Sequence, residues 1–548
     1  MTATIRNPIL SGFHPDPSIV RAGDDYFLAT STFHWWPGVR IHHSHDLVHW
    51  RPLGYALTRP SQLDMIGVHD HAGVWAPCLS FDHKTSLFFL VYTIVQSRPG
   101  YFDDLNYVVT AQNPAGPWSD PVFLNGVGFD ASLFHDEDGR KWLVQMATDP
   151  RPARNRFAGI RLQEYDPQAQ KLIGPGKIIF QGTTLGLVEG PHLYRKDGWY
   201  YLLTAEGGTS YEHAVTLARS QSIWGPYQVH PDNPLLTSLG DDTNPLQKAG
   251  HGSLVQTPDS TWWLAHLCGR PLPGTRRCPL GRETALQLIE WEENGWPHVA
   301  GGGNRPQIEW PVQGVEPNNA DPGPLDQRIE FPKGPLHDEL NTLRAPADPS
   351  WLETGVDGTW LRMVGRSSLE SLRHQSLVGR RLAHHRAELT TRMIFEPESC
   401  QQMAGLTIYY DTTLHHYLYL TRDQERGLYL AVLTSDRGQV LEPQDAWLCV
   451  EGWPQLHLRA SIDHGSLQFS ASADNTTWAE VGPALDLSIL SDDYAPHLGF
   501  TGTYAALAVQ DLAGEGRAAL FQHLTYVGFP EDNALDPANA TSGQAAEA

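Results

Sequence analysis

The sequence predicts an all-β protein, a five-bladed β-propeller followed by an antiparallel β-sandwich. Three observations carry that prediction. Helix signals are scarce across the 548 residues, and apolar residues alternate with polar ones in short runs. A strand–turn–strand unit recurs five times within residues 1–310. A stretch rich in Pro, Asn and Gly at 311–335 then breaks the pattern and reads as a linker, after which short alternating strands return.

The first copy of the repeat is DPSIVRAGDDYFLAT from Asp16, and the second is WAPCLSFDHKTSLFFLVYT from Trp75. DASLFHDEDGRKWLVQMA from Asp130, EGPHLYRKDGWYYLLTAE from Glu189 and HGSLVQTPDSTWWLAHL from His251 complete the set. The leading residues lie 59, 55, 59 and 62 positions apart, which leaves room for a four-stranded unit in each copy. Any all-β chain makes hairpins with Asp-Gly turns, and a sandwich with long loops is the alternative. Five units at one period favour the propeller. Its first strands line a central channel, so Asp16, Trp75, Asp130, Glu189 and His251 are expected to converge there. Asp16 is flanked by Pro15 and Pro17, which predicts a stiff segment with Asp16 in extended backbone.

Beyond the linker, residues 336–530 carry runs such as GLTIYYD, HYLYLTRD and GLYLAVLTSD, with a turn at Asp463-His-Gly465, and predict two antiparallel sheets. Residues 531–548, rich in Asn, Asp and Ala, are expected to be a disordered tail.

Asp and Glu number 62 against 39 Lys and Arg, a net charge of −23, which disfavours nucleic acid or an anionic membrane as partner. No apolar run is long enough to span a membrane, and MTATIRNPILSG lacks the layout of a secretory signal. The five cysteines are scattered without metal-type spacing, so free thiols and a cytoplasmic location are expected.

Three carboxylates brought to one channel suit acetal hydrolysis. That chemistry needs a protonated acid for the leaving oxygen and a carboxylate that activates water or attacks directly. A third carboxylate raises the acid's pKa by repulsion. Taken singly, apart from the repeat, Asp130 reads as a turn cap and Glu189 as an edge-strand residue. For His251 the choice is between a site residue and a buried histidine, and for Arg282 between a site cation and a surface ion pair. Phe33, Trp35, Trp36 and Trp75 offer apolar walls for a sugar ring. Asp and His in such a channel are also able to hold a divalent cation such as Ca²⁺, but no compact ligand motif supports it and no cofactor is required.

At these residues the sequence resembles glycoside hydrolase family 43, and within it the two-domain β-xylosidases. NPILSGFHPDPSI, STFHWWPGV, GVWAPCLSF, GFDASLF, LVEGPHLY, AGHGSLV, LGRETALQ and GFTGTYAALAVQDL carry the resemblance in order, over nearly the whole chain. It implies an inverting, exo-acting enzyme with Asp16 as general base, Glu189 as general acid and Asp130 as the residue that raises and orients the acid. It further implies substrate contacts at Phe33, Trp75, His251 and Arg282, and a concanavalin-like second domain. A loop of that domain carrying Tyr504 is expected to close one end of the pocket, which favours short xylo-oligosaccharides. Inversion requires the base and acid to stand about 6.5–9.5 Å apart. A homo-oligomer, dimer or tetramer, is expected from the resemblance. A dedicated α-L-arabinofuranosidase and a non-catalytic carbohydrate-binding protein are the competing readings.

Overall fold

The computed structural model describes residues 2–96, 103–316, 325–443, 446–496 and 499–530. The predicted tail, 531–548, and the middle of the predicted linker, 317–324, lie outside them. The chain forms two compact units. Of the described residues, the first holds those within 1–270, 282–318 and 343–346, and the second those within 271–281, 319–342 and 347–548. Among the described residues the only helical element is one 3₁₀ turn, Leu487–Ile489.

The first unit contains five antiparallel meanders, each built on a four-strand path. Their inner strands are Ser18–Ala22, Gly73–Asp82, Ser132–His135, Glu189–Lys196 and Gln247–Gln256, which number the blades one to five. A cavity of about 510 Å³ is lined by residues from all five inner strands, so the five repeats do share one axis. The turns follow local chemistry. Asp197 and Gly198 both have positive φ, the arrangement a two-residue hairpin needs and one that Gly adopts without penalty.

Adjacent blades are joined by apolar seams. Leu28, Val255, Trp263 and Leu286 pack between blades five and one, and Leu203, Leu217 and Leu264 between four and five. Each such side chain stabilises the ring by roughly 1.5–3 kcal/mol. The ends of the unit are tied by pairing of Thr2–Arg6 with Glu309–Gln313, in register from Thr2↔Gln313 to Arg6↔Glu309.

The second unit consists of antiparallel sheets around an apolar core that includes Leu389, Leu406, Leu458, Phe469 and Leu507. One sheet places Arg386–Ile394 beside Leu456–Asp463, and the other places Gln402–Asp411 beside Tyr504–Asp511. Residues 311–335 are not simply a connector. Residues 309–313 pair with the chain's first strand, and Leu325–Glu330 pairs with His523–Gly528.

Candidate active site

The inner strands begin with a shared irregularity. Asp16, Ala76, Asp130, Gly190 and His251 all have positive φ, between 33° and 55°. The ladders also shift register between Trp75 and Cys78, between Glu189 and His192, and around Gly250–Gly252. Non-glycine residues held there cost about 1–3 kcal/mol each, and such strain gathers at functional sites. Asp16 is therefore left-handed rather than extended. The cause is tertiary: its carboxylate is held by partners from three other segments, and they override the preference set by Pro17. The repeat also has an offset. In blades one, three and five the left-handed residue bears the polar side chain, while in two and four Trp75 and Glu189 stand just before it.

Asp16 is buried. Arg282 Nη1 donates to its Oδ1 at 2.9 Å, His251 Nδ1 lies 3.4 Å from the same oxygen, and Ser31 Oγ donates to Oδ2 at 2.7 Å. Burial pushes this carboxyl up, but Arg282, His251 and Ser31 outweigh it and hold Asp16 well below the usual carboxylate range. Asp130 Oδ2 accepts the Gly190 N–H at 3.0 Å, which ties it to the residue after Glu189. Glu189 is half-buried, and its carboxyl is pushed up by desolvation first and by the Asp130 charge second. Asp130 is raised by burial too, against the pull of His251. Buried beside the Asp130 charge, Glu189 retains a proton that an isolated carboxyl loses. For His251 burial works downward, but the bond to Asp16 and the surrounding carboxylates prevail and push it up to about 9, so the ring is cationic at neutral pH.

Backbone contacts hold the groups in place. His14 N–H donates to Arg282 O at 2.9 Å, and Thr284 Oγ1 donates to His14 O at 2.6 Å. Buried Arg270 grips Glu283 through two bonds, of 2.7 and 2.8 Å, and Gly12 N–H donates to the same Glu283. A Cβ at Gly190 would meet the His251 ring at 2.8 Å, so glycine is needed there for space as well as for φ.

The aromatic wall is continuous. Phe33 lies 5.7 Å from both Phe13 and Trp75, and Trp75 stands edge-on to Phe129 at 5.4 Å. The Arg282 guanidinium lies 5.3 Å from the Phe33 ring, and Trp75 Nε1 donates to His71 O. Thus Asp16, Asp130, Glu189, His251, Arg282, Phe33 and Trp75 belong to one neighbourhood of the first unit. Trp35 and Trp36 are buried. Tyr504 belongs to the second unit, where it begins a strand rather than sitting on a loop. It is fully buried opposite Tyr409, with the Arg381 guanidinium 5.6 Å from its ring.

Sequence reasoning missed Ser31, Thr209 and His213. Thr209 Oγ1 accepts from Arg282 Nη1 at 3.1 Å. His213, fully buried, has its ring where a Gly250 side chain would go, and burial, then His251 and Arg282, push it down to about 3. Ser31 lies two residues from Phe33 in a stretch singled out above, but a lone serine has no periodic signature.

Among the described residues one trio, Asp25, His43 and His45, has donor atoms close enough to hold a metal ion. It stands at the far end of the strand Asp25–Thr30 from Ser31. The Arg51 guanidinium faces His43 Nδ1 at 3.4 Å, which leaves the His43 proton on Nε2, donated to Asp25 at 2.6 Å, and so disfavours a metal there.

The cluster offers an ionised carboxylate, a carboxyl pair that keeps a proton, and an apolar wall. Known proteins share the two-domain layout. The model of glycosyl hydrolases family 43 matches residues 5–297, and that of the β-xylosidase C-terminal concanavalin A-like domain matches 328–527. Xylosidase/arabinosidase 43B of Humicola insolens is 45% identical over 96% of this chain and 99% of its own. Xylan 1,3-β-xylosidase of a Vibrio species is 42% identical over 96% and 100%. The crystal structure of xylan β-1,4-xylosidase from Bacillus halodurans C-125 superposes with a TM-score of 0.92 at 50% identity, over 95% of this chain and all of that one. With one model over the propeller and the other over the second domain, this chain belongs to glycosyl hydrolase family 43.

Proposed function

We propose that the chain is an inverting, exo-acting β-xylosidase that releases D-xylose from the non-reducing ends of short β-1,4-linked xylo-oligosaccharides, with α-L-arabinofuranosidase side activity. One observation carries the mechanism: within a single cluster, Asp16 is held ionised while the Asp130–Glu189 pair is pushed towards the protonated form. Asp16 is the base that takes a proton from water as its oxygen attacks the anomeric carbon. Glu189 is the acid that delivers a proton to the departing glycosidic oxygen. Asp130 keeps that proton in place through its own charge, and its bond to Gly190 N–H orients the acid's backbone. Arg282 and His251 keep the base ionised, and Trp75 and Phe33 supply the wall for the sugar ring. One proton enters the cluster at Asp16 and one leaves at Glu189, so the balance closes on these side chains and a water.

The choice of sugar is supported by the relatives' names, one of which couples xylosidase with arabinosidase, and the 1,4 linkage by the xylan β-1,4-xylosidase structure, against one relative named for 1,3 linkages. Side-by-side kinetics on 4-nitrophenyl β-D-xylopyranoside and α-L-arabinofuranoside, and on β-1,4- and β-1,3-xylobiose, test it. The expected result is a kcat/KM for xyloside over arabinoside, and for 1,4 over 1,3 linkage, of about tenfold or more. A preference for the arabinoside would overturn the proposal in favour of a dedicated arabinofuranosidase.

A further inference from the structure

Asp16 has four lone-pair positions when ionised. Among the described residues, Arg282 and His251 both face Oδ1, so that oxygen is engaged on two sides by cations. Among the described residues Oδ2 has a single partner, Ser31, at 2.7 Å. The Ser31 side chain is itself fixed. It is fully buried, its backbone N–H donates to Pro15 O, and its Oγ accepts the Ala76 N–H at 2.7 Å. With that N–H on one of the Oγ lone pairs, the hydroxyl proton is directed at Asp16, which as a carboxylate only accepts. Ala76 points its N–H at Ser31 because it has φ 33° and lies in the bulge that follows Trp75. Ser31 therefore links the carboxylate of blade one to the backbone of blade two.

We propose that Ser31 is a positioning residue for the water-activating base: its hydrogen bond fixes the rotation of the Asp16 carboxylate and leaves one lone pair of Oδ2 for the hydrolytic water. The inference rests on the reading of Asp16 as general base. It names Oδ2, not Oδ1, as the oxygen that takes the water proton, because Oδ1 faces two cations and Oδ2 faces one neutral hydroxyl.

A double-mutant cycle tests it, with the faster of the two aryl glycosides as substrate. Ser31→Ala should lower kcat about 10- to 100-fold, the worth of one hydrogen bond to a charged group, while KM stays within about twofold. In an Asp16→Ala background, Ser31→Ala should leave the residual rate unchanged, because a residue that acts only through Asp16 has nothing left to position. An equal loss in both backgrounds, or no loss in either, would overturn the role of Ser31 alone. An Asp16→Ala enzyme with wild-type turnover would instead overturn the base reading. Should circular dichroism show that Ser31→Ala does not fold, Ser31→Cys, similar in shape but a weaker donor, takes its place in the cycle with the same pattern expected at smaller amplitude.

Discussion

At neutral pH Asp16 is charged and the Asp130–Glu189 pair holds back a proton, because cations face the first, while burial, with the Asp130 charge acting on Glu189, governs the second. Glu189→Gln removes the acid, so kcat on xylobiose should fall about 10²- to 10⁴-fold. The loss on a 4-nitrophenyl glycoside should be smaller, since that leaving group needs less help from a proton, and steady-state kinetics on the two substrates check this. The role of Asp130 has a sign that pH profiles read. A protonated acid is required, so activity falls as pH rises through the raised pKa of the pair. Asp130→Asn deletes a neighbouring negative charge, which lowers the pKa of Glu189. The alkaline limb of kcat/KM should then move to lower pH, and an unmoved limb would remove Asp130 from that role.

Two small devices at the scale of strands keep these groups in position. Gly190 combines φ 55° with a His251 ring that would lie 2.8 Å from an added Cβ. Gly190→Ala should cost about 1–2 kcal/mol in backbone strain alone and displace His251 from Asp16, seen as a lower Tm and a lower kcat together. The second device is the Arg270–Glu283 pair, which joins the outgoing strand of blade five to Gly12 and so to the segment that carries Asp16. Glu283 is fully buried and Arg270 nearly so. Glu283→Ala leaves a buried guanidinium without its carboxylate and should destabilise the protein by about 3–5 kcal/mol in denaturant titration, with activity lost as the Gly12–Asp16 segment loosens.

For the whole molecule, the repeat made the propeller legible. Five hairpins at one period bring Asp16, Trp75, Asp130, Glu189 and His251 together on physical grounds before any atom is placed. The one-residue offset at Trp75 and Glu189 was not legible, because the bulges that create it depend on register between strands rather than on residue type. Ser31, Thr209 and His213 were missed for a related reason: a single polar residue gains meaning only from what folds against it. Composition likewise marked 311–335 as a break, but pairing with Thr2–Arg6 and His523–Gly528 is a long-range event that local Pro and Gly content does not report. The central claim is that water, held by Asp16, attacks opposite the bond that Glu189 protonates. A proton NMR time course on xylobiose tests it most directly. The first new anomeric signal from the non-reducing unit should be that of α-D-xylose, which mutarotates to the equilibrium mixture. Initial release of β-D-xylose would contradict it.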